Sequence, residues 1–122
     1  MVRGGKVVKY ENFVLNSERK ANAVGKGMTR KILAFSKGTM LCELHFEKGA
    51  VGALHSHPHE QISYVVSGAF EFDINGVKKI VRAGDSLYKE PNVVHGAVCL
   101  EEGILLDFFS PMREDFLKEL DS

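Results

Sequence analysis

Hydrophobic and polar residues alternate along most of the chain, in short runs that end at glycines spaced roughly ten residues apart. A period of two is typical of strands that are covered on one face. We predict strands over residues 6–10, 28–35, 40–46, 62–66, 70–74, 77–82, 86–89, 93–100 and 103–109. The pattern therefore predicts an all-β domain of many short strands.

The clearest local signal is the dipeptide Asn75-Gly76 between two alternating runs. Both residues tolerate the positive φ that a type I′ turn requires, and this turn joins antiparallel strands tightly. In the resulting register Ile74 faces Val77 and Asp73 faces Lys78, which are favourable cross-strand pairs.

The end of the chain changes period. Pro111 is expected to open a short helix over about residues 112–120, because proline is favoured in the first helical turn. Phe116, Leu117 and Leu120 fall at helical spacing, and acidic residues stand in the first turn, where the macrodipole favours them. We expect this tail to pack against the β domain or a second subunit.

Composition indicates one ordinary globular domain, residues 1–122, and excludes some partners. Sixteen basic residues balance sixteen acidic ones, so no positive excess would attract nucleic acid or an anionic membrane. The first residues lack a signal-peptide pattern and no apolar run is long enough to cross a bilayer, so we expect a cytoplasmic protein. Cys42 and Cys99 lie in apolar runs and are predicted to be buried free thiols.

Metal-capable side chains are concentrated in one segment, which contains His55, His57 and Gln61. Strand alternation would place the two histidines on one face, and Gln61 can approach from the start of the next strand. His95 lies far along the chain, so only long-range sheet pairing can bring it to the others. Imidazole and amide ligands in this number predict a metal site.

These residues resemble the motifs of the cupin family. The first family motif, here residues 49–68, is matched at Gly49, His55, His57 and Gly68, with Gln61 where a glutamate is usual. The second motif, here residues 84–99, is matched at Gly84 and His95 but departs from the family at Glu90 and Asn92.

The resemblance implies a single-domain double-stranded β-helix, the jelly-roll barrel of cupins, with the short C-terminal helix appended. It also implies that one divalent metal is held by His55, His57, Gln61 and His95. The ligand set accepts nickel, zinc, iron, manganese or copper alike. His45 and His59 occupy no ligand position of the family pattern.

The final strand and its exit, with the glutamine at position 61, are similar to one branch of the cupins. That branch opens the ring of 4,5-unsaturated monouronates released from pectin and alginate. The resemblance implies that Asp107, Phe109 and Arg113 are the catalytic residues, that the substrate is a small uronate and that the protein is a homodimer. Asp107 and Phe109 share a strand face, and Arg113 is suited to grip a carboxylate.

Two other functions fit the same residues. A metal cup with open coordination positions also suits a non-haem dioxygenase that activates O₂. A cupin that binds sugars without catalysis would use the same barrel. We expect the ring-opening activity, and keep these two as alternatives.

Overall fold

The computed structural model describes residues 2–3, 6–7 and 9–121. Ten strands lie in this part of the chain: β1 (Val2–Arg3), β2 (Lys6–Val7), β3 (Asn22–Gly25), β4 (Met28–Ser36), β5 (Thr39–Phe46), β6 (Val51–His55), β7 (Glu60–Ile74), β8 (Val77–Arg82), β9 (Ser86–Lys89) and β10 (His95–Ser110). Two 3₁₀ helices accompany them, Asn16–Glu18 and Glu114–Asp121. The predicted all-β architecture with a short C-terminal helix is confirmed.

Two long antiparallel strands, β7 and β10, form the spine of the barrel and pair with each other along most of their length. The first half of β10 also pairs with β6, and the second half of β7 pairs with β8. The other halves continue the sheet through β5, β4 and β3 on one side and β9 on the other. β1 and β2 pair only with each other among the described strands.

The spine bends where β7 passes β10 near its middle. Pairing is irregular there, around Glu101 and Ile104 on β10. Gly68 has a φ of 82°, and a Cβ at this position would meet the Glu101 carbonyl oxygen at 2.6 Å. Only glycine allows this close crossing of two backbones, which explains a glycine of the first motif in physical terms.

Most of the interior is an apolar core. Phe46 of β5 and Phe70 of β7 stack edge to face with 5.2 Å between ring centroids, so the two halves of the sheet meet in one core. Cys42 and Cys99 are buried free thiols, as predicted. Burial raises the pKa of Cys42 to about 12, so its thiol stays protonated and unreactive.

The predicted Asn75-Gly76 hairpin is confirmed. β7 and β8 pair with Ile74 opposite Val77 and Asp73 opposite Lys78. Asn75 has a φ of 52° and Gly76 of 81°, and the Gly76 amide donates to the Asp73 carboxylate at 2.9 Å. The side chain of Asp73 therefore stabilises the turn as well as the strand pair.

Several strand predictions were wrong in extent. The runs 62–66 and 70–74 belong to the single strand β7, and residues 95–100 and 103–109 belong to β10, because bulges absorb the glycine-containing gaps without ending the pairing. Positions 93 and 94, predicted to be in a strand, precede β10. The strand predicted for 6–10 ends at Val7 as far as it is described, since position 8 lies outside the described residues and Tyr10 is not in a strand. β3 lies between the strands predicted for 6–10 and 28–35, where no strand was predicted.

The C-terminal helix differs from the prediction in type and start. It is a 3₁₀ helix that begins at Glu114, because the chain first inserts Met112 into the core, where it is buried. Phe116 and Leu117 are buried against the barrel, as expected, whereas Leu120 is 36% exposed. The helix therefore closes one end of the interior, beside the last residues of β10.

Candidate metal centre and active-site cavity

Three histidine rings converge at one end of the barrel. His55 is the last residue of β6 and His95 the first of β10, and the two are paired in register. The distance between ring centroids is 4.4 Å for His55 and His95 and 4.9 Å for His57 and His95. One ring nitrogen from each histidine lies within 4.8 Å of the others. The predicted grouping of His95 with the earlier pair is thus present.

The route by which His57 reaches the group differs from the prediction. β6 ends at His55, so His57 lies in the loop that follows and does not share a strand face with its neighbour. Gln61 lies at the start of β7, as expected. The loop curves the chain back over the barrel end, which brings His57 inward until it is 7% exposed.

Backbone carbonyls orient the three imidazoles in the same way. Each Nδ1 lies within hydrogen-bond distance of a carbonyl two residues away: His55 with Ala53 at 2.8 Å, His57 with His59 at 3.0 Å and His95 with Val93 at 3.0 Å. A carbonyl can only accept, so each Nδ1 carries the proton and each Nε2 keeps a lone pair. This arrangement is typical of metal-binding histidines.

Among the described residues, no donor matches the lone pair on Nε2 of His57 or His95. Nε2 of His95 is buried with no hydrogen-bond partner among the described residues. Nε2 of His57 lies 2.9 Å from Oε1 of Gln61, so two acceptors face each other when the imidazole is neutral. A cation between them resolves that conflict, and the donor set of three imidazoles and one amide oxygen fits a divalent metal.

Burial favours the neutral imidazoles of His57 and His95 by lowering their pKa values. It lowers the pKa of His95 to about 4, and the positive charge of Lys89 acts in the same direction. Burial also lowers the pKa of His57, with the Arg113 guanidinium adding to the effect. Neutral imidazoles are the form that ligates metals, so the pocket favours the binding form at neutral pH.

The predicted catalytic residues lie around the same cavity. Asp107 and Phe109 both point into the barrel and are 8% and 4% exposed. The ring of Phe109 packs edge to face on His57, with 5.7 Å between centroids. Arg113 leaves the end of β10 and returns over Phe109, with its guanidinium carbon 5.2 Å from that ring centroid. Asp107 is therefore not a solvent-exposed strand residue, and Arg113 is not a fully solvated residue at the start of a helix.

Arg113 is held in place by partners on both sides. Its guanidinium donates twice to the Asp115 carboxylate, at 3.0 and 2.8 Å, and stacks over Phe116 at 4.1 Å. This planar, two-bonded arrangement fixes the direction of the guanidinium.

A cavity of about 120 Å³ lies between the histidine centre and the predicted catalytic residues. Its lining includes His55, Gln61, Lys89, His95, Asp107 and Arg113. A larger cavity of about 610 Å³ lies elsewhere, beside His45, Glu47 and Glu102. We assign the chemistry to the smaller of these two cavities, because it is lined by His55 and His95 of the converging histidines and the larger one is not. His45 instead contacts Glu43 at 3.0 Å on the exposed side of β5.

His59 lies beside the centre without joining it. Its ring centroid is 5.6 Å from that of His57, yet its nitrogens are not among the converging ligand atoms. It also packs on Phe109 at 6.5 Å, so it contributes to the wall of the site.

Sequence reasoning missed two buried polar residues beside this site, Ser63 and Lys89. Ser63 shares the inward face of β7 with Gln61, so alternation from a candidate ligand was the signal that would have found it. Lys89 ends the short strand β9 opposite Gln61. A lysine at a strand end is normally solvated, and nothing local marks this one as buried.

The jelly-roll barrel and its histidine centre define the class of protein. A model of the cupin domain family matches residues 42–109. The chain belongs to the cupin family.

More specific similarity is found to individual cupins. The chain is 44% identical to the pectin degradation protein KdgF of Dickeya dadantii over 107 residues, which are 86% of this chain and 97% of that protein. The solved structure of KdgF from Halomonas sp. is 40% identical, with a TM-score of 0.83, and covers 87% of this chain and 98% of its own. An RmlC-like cupin from Shewanella frigidimarina is 45% identical, with a TM-score of 0.84 and coverage of 87% and 96%.

No helix in the described part of the chain is both long and apolar enough to cross a membrane.

Proposed function

We propose that this cupin is a metal-dependent enzyme that opens the ring of 4,5-unsaturated monouronates and yields the linear keto acid. The observation that carries the proposal is the convergence of His55, His57, Gln61 and His95 beside a cavity that Asp107 and Arg113 also line. The similarity to pectin degradation proteins named KdgF supports uronates as the substrate class.

The ligand set suits a reaction in which negative charge develops on an oxygen. Three neutral imidazoles and a neutral amide leave the full charge of a divalent cation uncompensated. When bound, the metal would supply Lewis-acid stabilisation of the enolate oxygen that forms as the ring opens.

Asp107 is assigned the proton transfers. In ring opening the bond between C1 and the ring oxygen breaks, C1 becomes an aldehyde and the anomeric hydroxyl loses its proton. Asp107 accepts that proton and delivers one to C4, so that the enolate becomes the C5 ketone and no atoms are gained or lost. A positioned acid–base group of this kind typically contributes 10² to 10⁴-fold in rate.

Arg113 and Phe109 are assigned to substrate binding. Asp115 and the two aromatic rings fix the guanidinium of Arg113 at the cavity, where its remaining donors are suited to a uronate carboxylate. Phe109 separates His57 from Arg113 and gives the pocket an apolar wall that limits the access of water.

The proposal includes a homodimer. Ile62, Tyr88 and Phe108 are exposed apolar side chains on three adjacent strands, with Ile62 paired to both others. An apolar sheet face of this kind favours burial against a second copy. Light scattering should give the dimer mass for the wild type and a monomer for Tyr64→Glu in that face, whereas a monomeric wild type would contradict this part.

Substitution of Asp107 by Asn tests the catalytic assignment. The variant is expected to keep fold and metal but lose about 3 to 5 kcal/mol of transition-state stabilisation, roughly 10² to 10⁴-fold in kcat/KM. Glu114→Gln, which neutralises an exposed carboxylate on the C-terminal helix, is the matched control and should retain wild-type turnover. Equal activity of the two variants would contradict the role of Asp107.

A further inference from the structure

A buried lysine forms part of the cavity wall and is not used by the proposed chemistry. Lys89 is 2% exposed, and its Nζ lies 4.7 Å from the centroid of Phe72. Removing an ammonium group from water costs several kcal/mol unless it gains partners. The partner that the structure provides is Oγ of Ser63, at 2.9 Å.

Ser63 connects this lysine to Asp107. Its hydroxyl oxygen lies 2.5 Å from Oδ1 of Asp107 and 3.4 Å from Nε2 of Gln61. Ser63 itself is completely buried. One hydroxyl therefore links the proposed acid–base group, one proposed metal ligand and a buried cation.

With Lys89 in its ammonium form, which the charge of Asp107 favours against the effect of burial on its pKa, counting protons fixes the direction of each bond. The ammonium of Lys89 and the amide nitrogen of Gln61 can only donate, so both point their hydrogens at Oγ of Ser63. The single hydroxyl proton is then left for Oδ1 of Asp107. The short distance agrees with a hydroxyl that donates to a carboxylate.

We infer that Ser63 and Lys89 are positioning residues for Asp107: Lys89 holds the hydroxyl of Ser63, and that hydroxyl engages Oδ1, holds the carboxylate in one orientation and leaves Oδ2 for the substrate. This inference rests on the proposed ring-opening function. A general base that is held in place avoids the loss that comes with even a small misalignment of the reacting atoms. Neither residue needs to touch the substrate.

Loss of the positioning should affect turnover more than substrate binding. Asp107 remains in the site of a Ser63→Ala or Lys89→Met variant, so part of its 10² to 10⁴-fold contribution survives. We expect kcat to fall by roughly 10- to 100-fold while KM changes by less than about threefold, because Arg113, which is assigned to binding the substrate carboxylate, is unaltered.

Lys89→Met separates positioning from a purely structural role. Methionine fills a similar volume, and replacing a buried charge by an apolar side chain is often neutral or stabilising. We expect the midpoint of thermal unfolding to stay the same or rise while kcat falls. Lys79→Met, at an exposed position on β8, is the matched control and should change neither quantity.

The deciding experiment is a double-mutant cycle with purified, metal-loaded protein and a 4,5-unsaturated monouronate as the probe. Single variants Ser63→Ala, Lys89→Met and Asp107→Asn are compared with the two double variants that contain Asp107→Asn. If the two residues act through Asp107, each should lower kcat by less than about threefold once Asp107 is already Asn. Independent, multiplicative losses in the double variants, or single losses below threefold, would overturn the inference.

A second readout keeps the inference separate from the proposed function. Crystal structures of the Ser63→Ala and Lys89→Met variants should show the Asp107 carboxylate rotated or in more than one conformer, with metal content unchanged. A wild type without ring-opening activity would refute the proposed function. An Asp107 that keeps its single orientation in both variants would refute the inference, whether or not the wild type is active.

Discussion

The imidazole of His95 should make the metal-free protein sensitive to acid. Its pKa lies near 4 in the folded protein, against 6.5 for an unperturbed histidine, chiefly because the side chain is buried. Between these two pH values the unfolded chain binds a proton at His95 that the folded chain does not. The free energy of unfolding therefore decreases as the pH falls through this range.

The size of the effect follows from the pKa difference. One pKa unit corresponds to about 1.4 kcal/mol, so the change from 6.5 to about 4 is worth up to about 3 kcal/mol. This part of the free energy of unfolding is fully present above about pH 6.5 and is lost by about pH 4. His57, whose pKa is also lowered by burial, should add to the loss in the same direction.

The assay is urea denaturation of chelator-treated protein at several pH values between 4 and 7.5. His95→Gln is the comparison, because it removes the titrating group while keeping a neutral polar side chain. The difference in unfolding free energy between wild type and variant cancels the other titrating groups. It should change by about 2 to 3 kcal/mol across the range, and a difference that is independent of pH would refute the reasoning.

Three further predictions concern the site itself. Elemental analysis should find about one divalent metal per chain in the wild type and in His59→Ala, and almost none in His57→Ala or His95→Ala; equal loss in all three would show that the ligands are misassigned. Gln61→Glu should retain metal but slow turnover by about tenfold or more, because a negative ligand weakens the Lewis acid. Unchanged kcat at full metal occupancy would contradict that charge argument. Arg113→Ala should lower kcat/KM by roughly 10- to 100-fold, mainly through KM, and a loss confined to kcat would argue against a carboxylate clamp.

Much of the fold was predictable because the signals are local. The period of two and the Asn75-Gly76 turn define strands and their register, and the structure follows that register residue by residue. The ends of strands at glycines were less predictable, since glycine occurs both in β-bulges, where the strand continues, and in turns, where the chain reverses. The continuous course of β7 past Gly68 depends on how closely β10 approaches, which is a tertiary property.

The part of the site that follows from motif spacing was predictable from the sequence. His55, His57 and His95 come together as expected, although His57 does so from a loop. Ser63 could have been found by strand alternation from Gln61, whereas Lys89 could not be anticipated, because its importance comes from burial and from a hydrogen bond to Ser63 between β7 and β9. The burial of a lysine is a property of the tertiary fold and cannot be recognised from its local sequence.

The central claim is tested most directly by the reaction. A 4,5-unsaturated monouronate, freshly released by a lyase from pectin or alginate, absorbs in the ultraviolet because its alkene is conjugated with the carboxylate. The metal-loaded protein should accelerate the decay of that absorbance well above the spontaneous rate, with loss of the vinyl proton at C4 in the NMR spectrum, and chelation should abolish the acceleration. A decay at the uncatalysed rate for both substrates would contradict the account, and consumption of O₂ in its place would indicate a dioxygenase.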